Sequence, residues 1–295
     1  MNKPPVEISV VLPCYNGART IGNQLEALAR QHWAGQWELI YVDNGSTDGS
    51  AAIVESFRHR LPGLRVVDAP ERRGPPYALN RGVLESTAES IVFCNDDDEV
   101  APGWLAAMAE ALQSNEVVAG CLEHERLNEP WLLDVRGRPQ TDRLPEWGFL
   151  PYMPFAFGAT IGIRRRLHES IGGFDEELTP SAEDMDYCWR VQLAGFRIRF
   201  VPAAVTHYRM RPDLRSLWKQ ARGYGIGNVL AYKKHLGLGL QPAPHPWRRG
   251  IRAWLGLGKR LLLAWNKPRF ALLVWHFGLR TGMLKGSIKH RVVFL

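Results

Sequence analysis

Four short apolar segments alternate with three helical patterns over the first hundred residues, and this alternation constrains the fold more than any other feature. The apolar segments are ISVVLPCY, ELIYVDNGS, LRVVDAP and SIVFCNDDD. Apolar residues recur at helical spacing between them, in TIGNQLEALARQ, SAAIVESFRHRL and PYALNRGVLEST. The order β-α-β-α-β-α-β predicts an α/β protein with a mostly parallel sheet, right-handed crossovers and helices on both faces.

Three of the predicted strands end in polar segments, which are PCYNG, DNGSTDG and NDDDE. The last of these contains the adjacent carboxylates Asp96, Asp97 and Asp98. Charged residues normally lie in water, so one acidic segment alone would indicate a solvated loop. In open α/β sheets, however, ligands bind at the carboxyl ends of the strands. Three polar strand ends on the same rim therefore predict a binding site.

The composition of this rim restricts the ligand. It lacks the GxGxxG pattern of dinucleotide-binding folds and the GxxxxGK[ST] pattern of phosphate-binding loops, so neither NAD nor ATP is favoured. Adjacent carboxylates are oxygen ligands of the kind that Mg or Mn prefers, and such ions keep positions open for substrate phosphates. The rim therefore predicts a nucleotide diphosphate carried by a divalent metal.

Five motifs occur together in an order and spacing that resemble family 2 glycosyltransferases. They are VVLPCYNGARTIGNQLEAL, YVDNGSTDGS, ALNRG, NDDD followed by PGWL, and IGGFDEELTPSAEDMDYCWRVQLAGFRIRFVPAAVTHY. The resemblance covers about residues 6–228 and implies a GT-A fold. It also implies an inverting enzyme that moves a sugar from a nucleotide-diphosphate sugar donor to a hydroxyl of a glycan or lipid-linked acceptor.

The resemblance also assigns residues to the donor site. It implies nucleotide contacts by Pro13, Tyr15, Asp43, Asn44, Gly74, Asn80, Asn95 and Asp96. Asp97 matches the metal-binding residue of the DxD motif, and His207 is expected to contact the metal or a phosphate. Asn44 and Asn95 are departures, since an aspartate is frequent at both positions. Asp98 is expected to be solvated or to cap a helix.

The segment EDMDYC carries the expected catalytic base. By resemblance Asp184 occupies its position, and Glu183 is the next candidate. The attacking sugar hydroxyl must lose its proton as the new bond forms, and a positioned carboxylate can accept it. A helix beginning near Ser181 would also favour early acidic residues without any catalysis. Arg209 and Arg211 follow the next strand and could assist with the diphosphate charge.

Aromatic residues in the second half are candidates for an acceptor platform, with core packing as the equal alternative. They are Trp131, Trp147 and Phe155, of which Trp147 is favoured because Pro145 and Gly148 place it in a loop. Two other functions remain open, a nucleotidyltransferase of sugar metabolism and an inactive sugar-nucleotide-binding module. The first usually needs a basic, glycine-rich loop where PCYNGART has one glycine and one arginine, and the second would lose the base.

Charge divides the chain sharply at Asp213. The first 213 residues carry 21 basic and 30 acidic residues, whereas the last 82 carry 16 basic residues and no acidic one. This asymmetry suggests a basic tail that meets an anionic surface. We expect three parts, with residues 1–120 binding the nucleotide sugar, residues 121–235 binding the acceptor, and residues 236–295 forming a helical basic tail.

The segment IRAWLGLGKRLLLAW, residues 251–265, predicts an amphipathic helix in this tail. At about 100° per residue, its apolar side chains fall within an arc of about 120°, while Arg252, Lys259 and Arg260 fall outside. Such a helix either packs on the catalytic part or binds an anionic membrane. Purely basic charge favours the membrane, so we expect a peripheral enzyme on the inner face of the cell membrane.

The cysteines and the N-terminal segment bear on the cellular compartment. Four scattered cysteines without a CxxC pair predict reduced thiols in a cytoplasmic setting. The segment MNKPPVEISVVLP argues against a cleaved signal peptide because it has no long apolar stretch. We expect no nucleic-acid partner.

Overall fold

The four strands predicted from the apolar segments form the first half of the sheet. They are β1 (Ile8–Cys14), β2 (Trp37–Asp43), β3 (Arg65–Asp68) and β4 (Ser90–Phe93). β1 pairs in parallel with β2 and β4, and β2 pairs in parallel with β3. Three helices connect them, α1 (Ile21–Ala29), α2 (Ser50–Ser56) and α3 (Pro75–Glu85). The computed structural model describes residues 5–61, 63–179 and 181–294, and it confirms the predicted β-α order.

The second half of the chain extends the same sheet and makes it mixed. It adds β5 (Glu99–Val100), β6 (Val117–Glu123), β7 (Ile161–Arg164) and β8 (Arg199–His207), and the strand order is β3-β2-β1-β4-β7-β6-β8-β5. β7 runs antiparallel to β4 and β6, whereas β6 and β8 are parallel. The helices of this half are α4 (Trp104–Ser114), α5 (Pro130–Arg136), α6 (Arg165–Ser170) and α7 (Glu183–Leu193).

Both faces of the sheet are covered, which explains why the strands are apolar throughout. Val10 and Leu12 of β1 pack with Leu25 of α1 on one face. Val11, between them, packs with Val83 of α3 on the other face. Successive side chains of a strand point to opposite faces, so a strand buried on both sides cannot show alternation. Full burial of each such side chain contributes about 1.5–3 kcal/mol.

Three helices form the C-terminal part, α8 (Leu214–His235), α9 (Pro246–Leu262) and α10 (Lys267–His290). The backbones of α8 and α10 approach closely because glycines line their contact. A Cβ atom at Gly225 would collide with the carbonyl of Leu279, and one at Gly282 would collide with the carbonyl of Arg222. Helix α10 is therefore packed closely against α8.

The predicted amphipathic helix forms as α9, and its apolar arc is exposed. Ile251, Leu255 and Leu262 are 61%, 66% and 84% exposed. Gly250 and Leu257, on the adjacent face, are the residues of α9 that are buried. These three apolar side chains are therefore not used to pack the helix on the rest of the chain. No helix within the described ranges is both long enough and apolar enough to cross a membrane.

Candidate active site

A cleft of about 1200 Å³ opens at the carboxyl ends of β1, β2 and β4 and extends toward α7, α8 and α10. The structure brings nine of the predicted site residues together along it. They are Pro13, Tyr15, Asn44, Gly74, Asn95, Asp96, Asp97, Glu183 and Asp184. Asp43, Asn80 and His207 do not line the cleft. The polar ends of three predicted strands thus meet at one rim, as the sequence indicates.

Asn44 holds the loop that leads into α3. Its Nδ2 atom donates to the carbonyls of Ala69 and Arg72, each at 2.6 Å, and its Oδ1 atom accepts from the N–H of Gly74 at 2.8 Å. An aspartate cannot donate to these two carbonyls, which explains why an amide stands here. Gly74 has φ 133°, and a Cβ there would lie 2.7 Å from the Thr179 hydroxyl, so the loop also requires glycine.

Asp43 and Asn80 do not line the cleft but hydrogen-bond to backbone close to it. Asp43 is buried, and its Oδ1 atom accepts from the N–H of Ser46 at 2.7 Å, which fixes the turn after β2. Asn80 of α3 accepts from the N–H of Phe174 at 2.8 Å and donates to its carbonyl at 2.9 Å. In this structure both side chains therefore organise neighbouring backbone.

The end of the cleft at β1 and β2 contains one residue that the sequence patterns do not single out. The Arg73 guanidinium lies over the ring of Tyr15, with its Cζ atom 4.3 Å from the ring centroid. Tyr15 is 48% exposed, so its ring faces the cleft rather than the core. Arg73 precedes Gly74 in the segment ERRG. Adjacent arginines in such a segment indicate an ordinary solvated loop, so the sequence gives no sign of a role for Arg73.

The carboxylates after β4 occupy three different environments. Burial, followed by the charge of Asp97, raises the pKa of Asp96 to about 7. The prediction that Asp98 is solvated or caps a helix is wrong, because Asp98 is completely buried and α4, the helix that follows it, has no side-chain cap. Its carboxylate accepts from the N–H of Arg209 at 2.7 Å and from the amide of Asn95 at 3.0 Å. Asn95 therefore supplies a hydrogen bond where an aspartate would add a repelling charge.

Arg211 pairs with Asp97 inside the cleft, with Nη1 and Oδ2 separated by 2.6 Å. The charge of Asp97 raises the pKa of Arg211. Arg209 donates to the carbonyl of Asp97 at 2.8 Å and pairs with Glu99, so it holds the loop from outside the cleft. Of the two arginines that the sequence suggests, only Arg211 is among the cleft-lining residues.

The donor set fits a hard divalent ion that is shared with a substrate. Asp96 and Asp97 present adjacent carboxylates whose mutual repulsion a cation would offset. Within the described ranges no three His, Cys, Asp or Glu side chains are grouped as a metal site, so phosphate oxygens and water would complete the coordination. The structure does not bring His207 to this position, since its Nδ1 atom lies 2.5 Å from Glu123 and Arg126 contacts its other nitrogen.

Glu183 and Asp184 open α7 at the opposite side of the cleft. The helix begins near Ser181, as the sequence predicts, and its N-cap Ala182 lies in the left-handed region with φ 73°. The Asp184 carboxylate accepts from the N–H of Gly158 at 3.1 Å and from its neighbour Met185 at 2.7 Å. These bonds fix its orientation and stabilise its ionised form.

The two adjacent acids differ in their hydrogen bonding. Burial, followed by the charge of Asp184, raises the pKa of Glu183 to about 8, and burial also raises the pKa of Asp184. The Oε2 atom of Glu183 is buried and has no partner among the described residues. Glu183 is therefore the member that holds a proton near neutral pH, while Asp184 is the better-supported carboxylate.

A buried polar network holds α7 against α8. Asp186 accepts from Arg190 at 2.8 Å and lies 2.9 Å from Nε2 of His235, and both Asp186 and His235 are buried. Although burial raises the pKa of Asp186, the hydrogen bond with His235 and the charge of Arg190 lower it overall. This network fixes the helix that carries Glu183 and Asp184.

The three candidate aromatics belong mainly to the core. Trp131 and Trp147 are buried. The ring of Trp147 stacks on that of Phe294, with the two ring centroids 5.2 Å apart. Trp147 and Phe155 nevertheless line the cleft, whereas Trp131 does not. The Nε1 atom of Trp147 is buried and has no hydrogen-bond partner within the described ranges. This N–H is therefore an unpaired donor on a residue that lines the cleft.

Comparison with known proteins identifies the fold and then the family. The structure superimposes on the mannosyltransferase PcManGT of Pyrobaculum calidifontis, solved with GDP-Man and Mn2+, with a TM-score of 0.68. The two share 20% identity over 97% of this chain and 90% of the other. The chain thus has the GT-A fold. Residues 9–172 match the model of glycosyl transferase family 2, and residues 147–285 match that of glycosyl transferase family group 2. The chain belongs to glycosyl transferase family 2.

Curated relatives are similar over most of this chain. The pre-mycofactocin glycosyltransferase of Mycobacterium tuberculosis is 29% identical over 234 residues, which are 74% of this chain and 46% of that protein. The poly-beta-1,6-N-acetyl-D-glucosamine synthase of Staphylococcus epidermidis is 25% identical, over 72% of this chain and 52% of that protein. The chain spans about half the length of these two relatives.

Proposed function

We propose that the protein is an inverting glycosyltransferase that moves a sugar from a nucleotide-diphosphate sugar to a hydroxyl of a glycan or lipid-linked acceptor. One observation carries this proposal. The carboxylates of Asp97 and Asp184, on different halves of the chain, line one cleft together with Tyr15 and Asn44. Family membership and the names of the curated relatives support the same activity.

The donor would bind at the β1, β2 and β4 end of the cleft. Tyr15 and the loop that Asn44 holds lie where the nucleotide is expected, and Arg211 has the planar guanidinium that suits a diphosphate. Asp96 and Asp97 would hold Mg or Mn. When bound, the ion supplies positive charge that stabilises the departing diphosphate. The Mn2+ and GDP-Man of the Pyrobaculum calidifontis structure support this arrangement.

Asp184 would act as the general base. The acceptor oxygen forms a bond to the anomeric carbon as the bond from that carbon to the diphosphate oxygen breaks. The hydroxyl proton passes to the Asp184 carboxylate, and a single displacement inverts the anomeric centre. A positioned base of this kind supplies typically about 10²–10⁴-fold in rate. The hydrogen bond from Gly158 holds the carboxylate in one orientation, which favours this role.

The acceptor would lie between α7 and the loop that carries Trp147. Trp147 and Glu183 both line the cleft. The Nε1 atom of Trp147 and the Oε2 atom of Glu183 are buried, and neither has a hydrogen-bond partner in the described structure. Buried polar groups cost free energy unless they are paired. A protonated Glu183 and an indole N–H would both find partners in the hydroxyl groups of a sugar.

We further propose that α9 places the enzyme on an anionic membrane surface, at the inner face of the cell membrane. The exposed apolar arc of α9 includes Leu255 and Leu262, while Arg252, Lys259 and Arg260 lie outside it. Apolar and basic side chains of this kind bind at a lipid interface, where each basic residue contributes about 1 kcal/mol. This placement suits a lipid-linked acceptor and a role in cell-surface polysaccharide synthesis.

A thermal-shift screen of nucleotides and sugar nucleotides, with and without Mn, tests the proposed donor site. A glycosyltransferase should be stabilised by one sugar nucleotide family in a metal-dependent manner, and it should hydrolyse that donor faster when an acceptor is present. A nucleotidyltransferase would instead respond to nucleoside triphosphates. An inactive binding module would be stabilised without hydrolysing any donor, so the screen separates the three functions.

A further inference from the structure

A second, smaller cavity lies between α9, α10 and the loop that carries Phe149. It measures about 220 Å³ and is lined by Phe149, Ala243, Arg249, Arg252, Arg280 and Phe294. A water molecule occupies about 30 Å³ in the liquid, so the cavity is large enough for a polyatomic ion. Phe149 also lines the main cleft, which places this cavity beside the proposed acceptor end.

The three arginines of this cavity have no carboxylate partner in the described structure. None of the ion pairs within residues 5–61, 63–179 and 181–294 includes Arg249, Arg252 or Arg280. The sequence beyond Asp213 contains no acidic residue, so neither α9 nor α10 can supply one. Three positive charges therefore converge on a single cavity without a compensating negative side chain.

The arrangement is unfavourable in the absence of an anion. Arg280 is half-buried, and burial together with the charge of Arg249 lowers its pKa. A guanidinium is not deprotonated in proteins, so the two like charges persist. Arg249 donates to the carbonyl of Phe149, and Nη1 of Arg280 lies 3.7 Å from Sδ of Met283. Each guanidinium has five N–H donors, so most of them remain for a ligand.

We propose that Arg249, Arg252 and Arg280 bind a phosphate group in this cavity. Guanidinium groups form paired hydrogen bonds with phosphate oxygens, and an anion would offset the repulsion between Arg249 and Arg280. The chemistry is that of a phosphate ester or diphosphate, carried either by a lipid headgroup or by a soluble molecule. This site is separate from the donor site and does not depend on glycosyl transfer.

Thermal unfolding of the full chain in inorganic phosphate, against chloride of equal ionic strength and with chelator present, tests the site. The chelator removes the metal that would carry phosphate to the donor site. Phosphate should raise the Tm of the wild type and of Arg248→Gln, an exposed control that removes the same charge outside the cavity. Arg252→Gln and Arg280→Gln should weaken the phosphate affinity about tenfold or more, since each removes charge-assisted hydrogen bonds.

Arg280→Gln has a second diagnostic effect, because it removes one of two facing charges. Without phosphate, the Tm of Arg280→Gln should equal or exceed that of the wild type. If Arg280 had a purely structural role, its replacement would lower the Tm. No phosphate response in the wild type, or an equal response in all variants, would overturn the proposal. Co-sedimentation with anionic vesicles then separates the sources. A lipid headgroup predicts weaker binding by Arg280→Gln than by the wild type, and a soluble phosphate predicts equal binding, because Arg280 lies on α10 and not on the proposed membrane helix α9.

Discussion

Arg211 and Asp97 form an ion pair of 2.6 Å inside the cleft, between the segment after β8 and the segment after β4. Asp97 is therefore already held by one cation, at the position where the sequence predicts a metal ligand. Arg211 has a larger share of its side chain exposed, 42% against 17% for Asp97, so it is the partner with room to turn toward a diphosphate. This relationship connects the two halves of the proposed donor site.

Replacement of Asp97 by alanine should abolish metal-dependent binding of a nucleoside diphosphate and leave the fold intact. The carboxylate is the proposed metal ligand, and without it Arg211 is free to bind the diphosphate directly. Calorimetry with and without Mn measures the difference, and Asp142→Ala, at an exposed carboxylate outside the cleft, is the control. An unchanged Mn dependence in Asp97→Ala would remove Asp97 from the metal site.

Asn44→Asp should destabilise the protein by about 2 kcal/mol, because two backbone carbonyls lose their donor and face a carboxylate. Asn16→Asp is a matched control, since Oδ1 of Asn16 accepts from the N–H of Thr47 and an aspartate retains this bond. Urea unfolding measures both variants. If Asn44→Asp is as stable as Asn16→Asp, the amide does not hold the loop.

The rim of polar strand ends could be predicted from the sequence because it depends on local pattern and on a general property of parallel sheets. The order of β1 to β4 and the convergence of Tyr15, Asn44 and Asp97 follow from that pattern. The mixed second half could not be predicted in the same way, since antiparallel pairing of β7 with β4 joins segments about 70 residues apart. The division of the chain at residues 120 and 235 stays a prediction.

Other features depend on contacts that no local pattern records. Asp98 can be buried because its carboxylate accepts a hydrogen bond from the backbone N–H of Arg209, which follows β8 and is distant in the sequence. His207 lies at the end of a strand as expected, since it is the last residue of β8, but β8 pairs with β6 and brings it to Glu123 instead of the cleft. Ala182, the residue before α7, lies in the left-handed region, which glycine adopts most readily.

Glu183→Gln should change how stability depends on pH. Glu183 has a pKa of about 8 in the folded protein and an ordinary value near 4.5 when unfolded, so the folded state holds the extra proton between these values. Its contribution is therefore fully present below about pH 4.5 and is lost as the pH rises toward 8. The loss is at most about 1.4 kcal/mol for each pH unit between the two pKa values.

The measurement is urea unfolding of both proteins at several values between pH 5 and 8. The free energy of unfolding of Glu183→Gln, relative to wild type, should increase steadily over this range because glutamine carries no ionisable proton. A constant difference would mean that Glu183 titrates near its ordinary value and is not the protonated partner of Asp184.

Vesicle co-sedimentation tests the role of α9. The full chain should pellet with anionic but not with neutral vesicles at low salt, and combined Ile251→Gln, Leu255→Gln and Leu262→Gln should keep it in solution. Truncation is unsuitable, because α10 packs along α8. The matched control replaces three exposed leucines outside α9 by glutamine, Leu84, Leu193 and Leu238. If the control variant also stays in solution, or if the wild type does not pellet with anionic vesicles, α9 is not the membrane contact.

The most direct test of glycosyl transfer is the turnover of Asp184→Asn with the sugar nucleotide that the thermal-shift screen identifies. The amide oxygen can still accept from the N–H of Gly158, and only the bond from the N–H of Met185 is lost, so the geometry of the cleft and the donor affinity should persist. Because the amide cannot take the hydroxyl proton, kcat should fall at least about 100-fold with nearly unchanged donor affinity. Preserved turnover, or a loss confined to donor affinity, would contradict the assignment of Asp184 as the base.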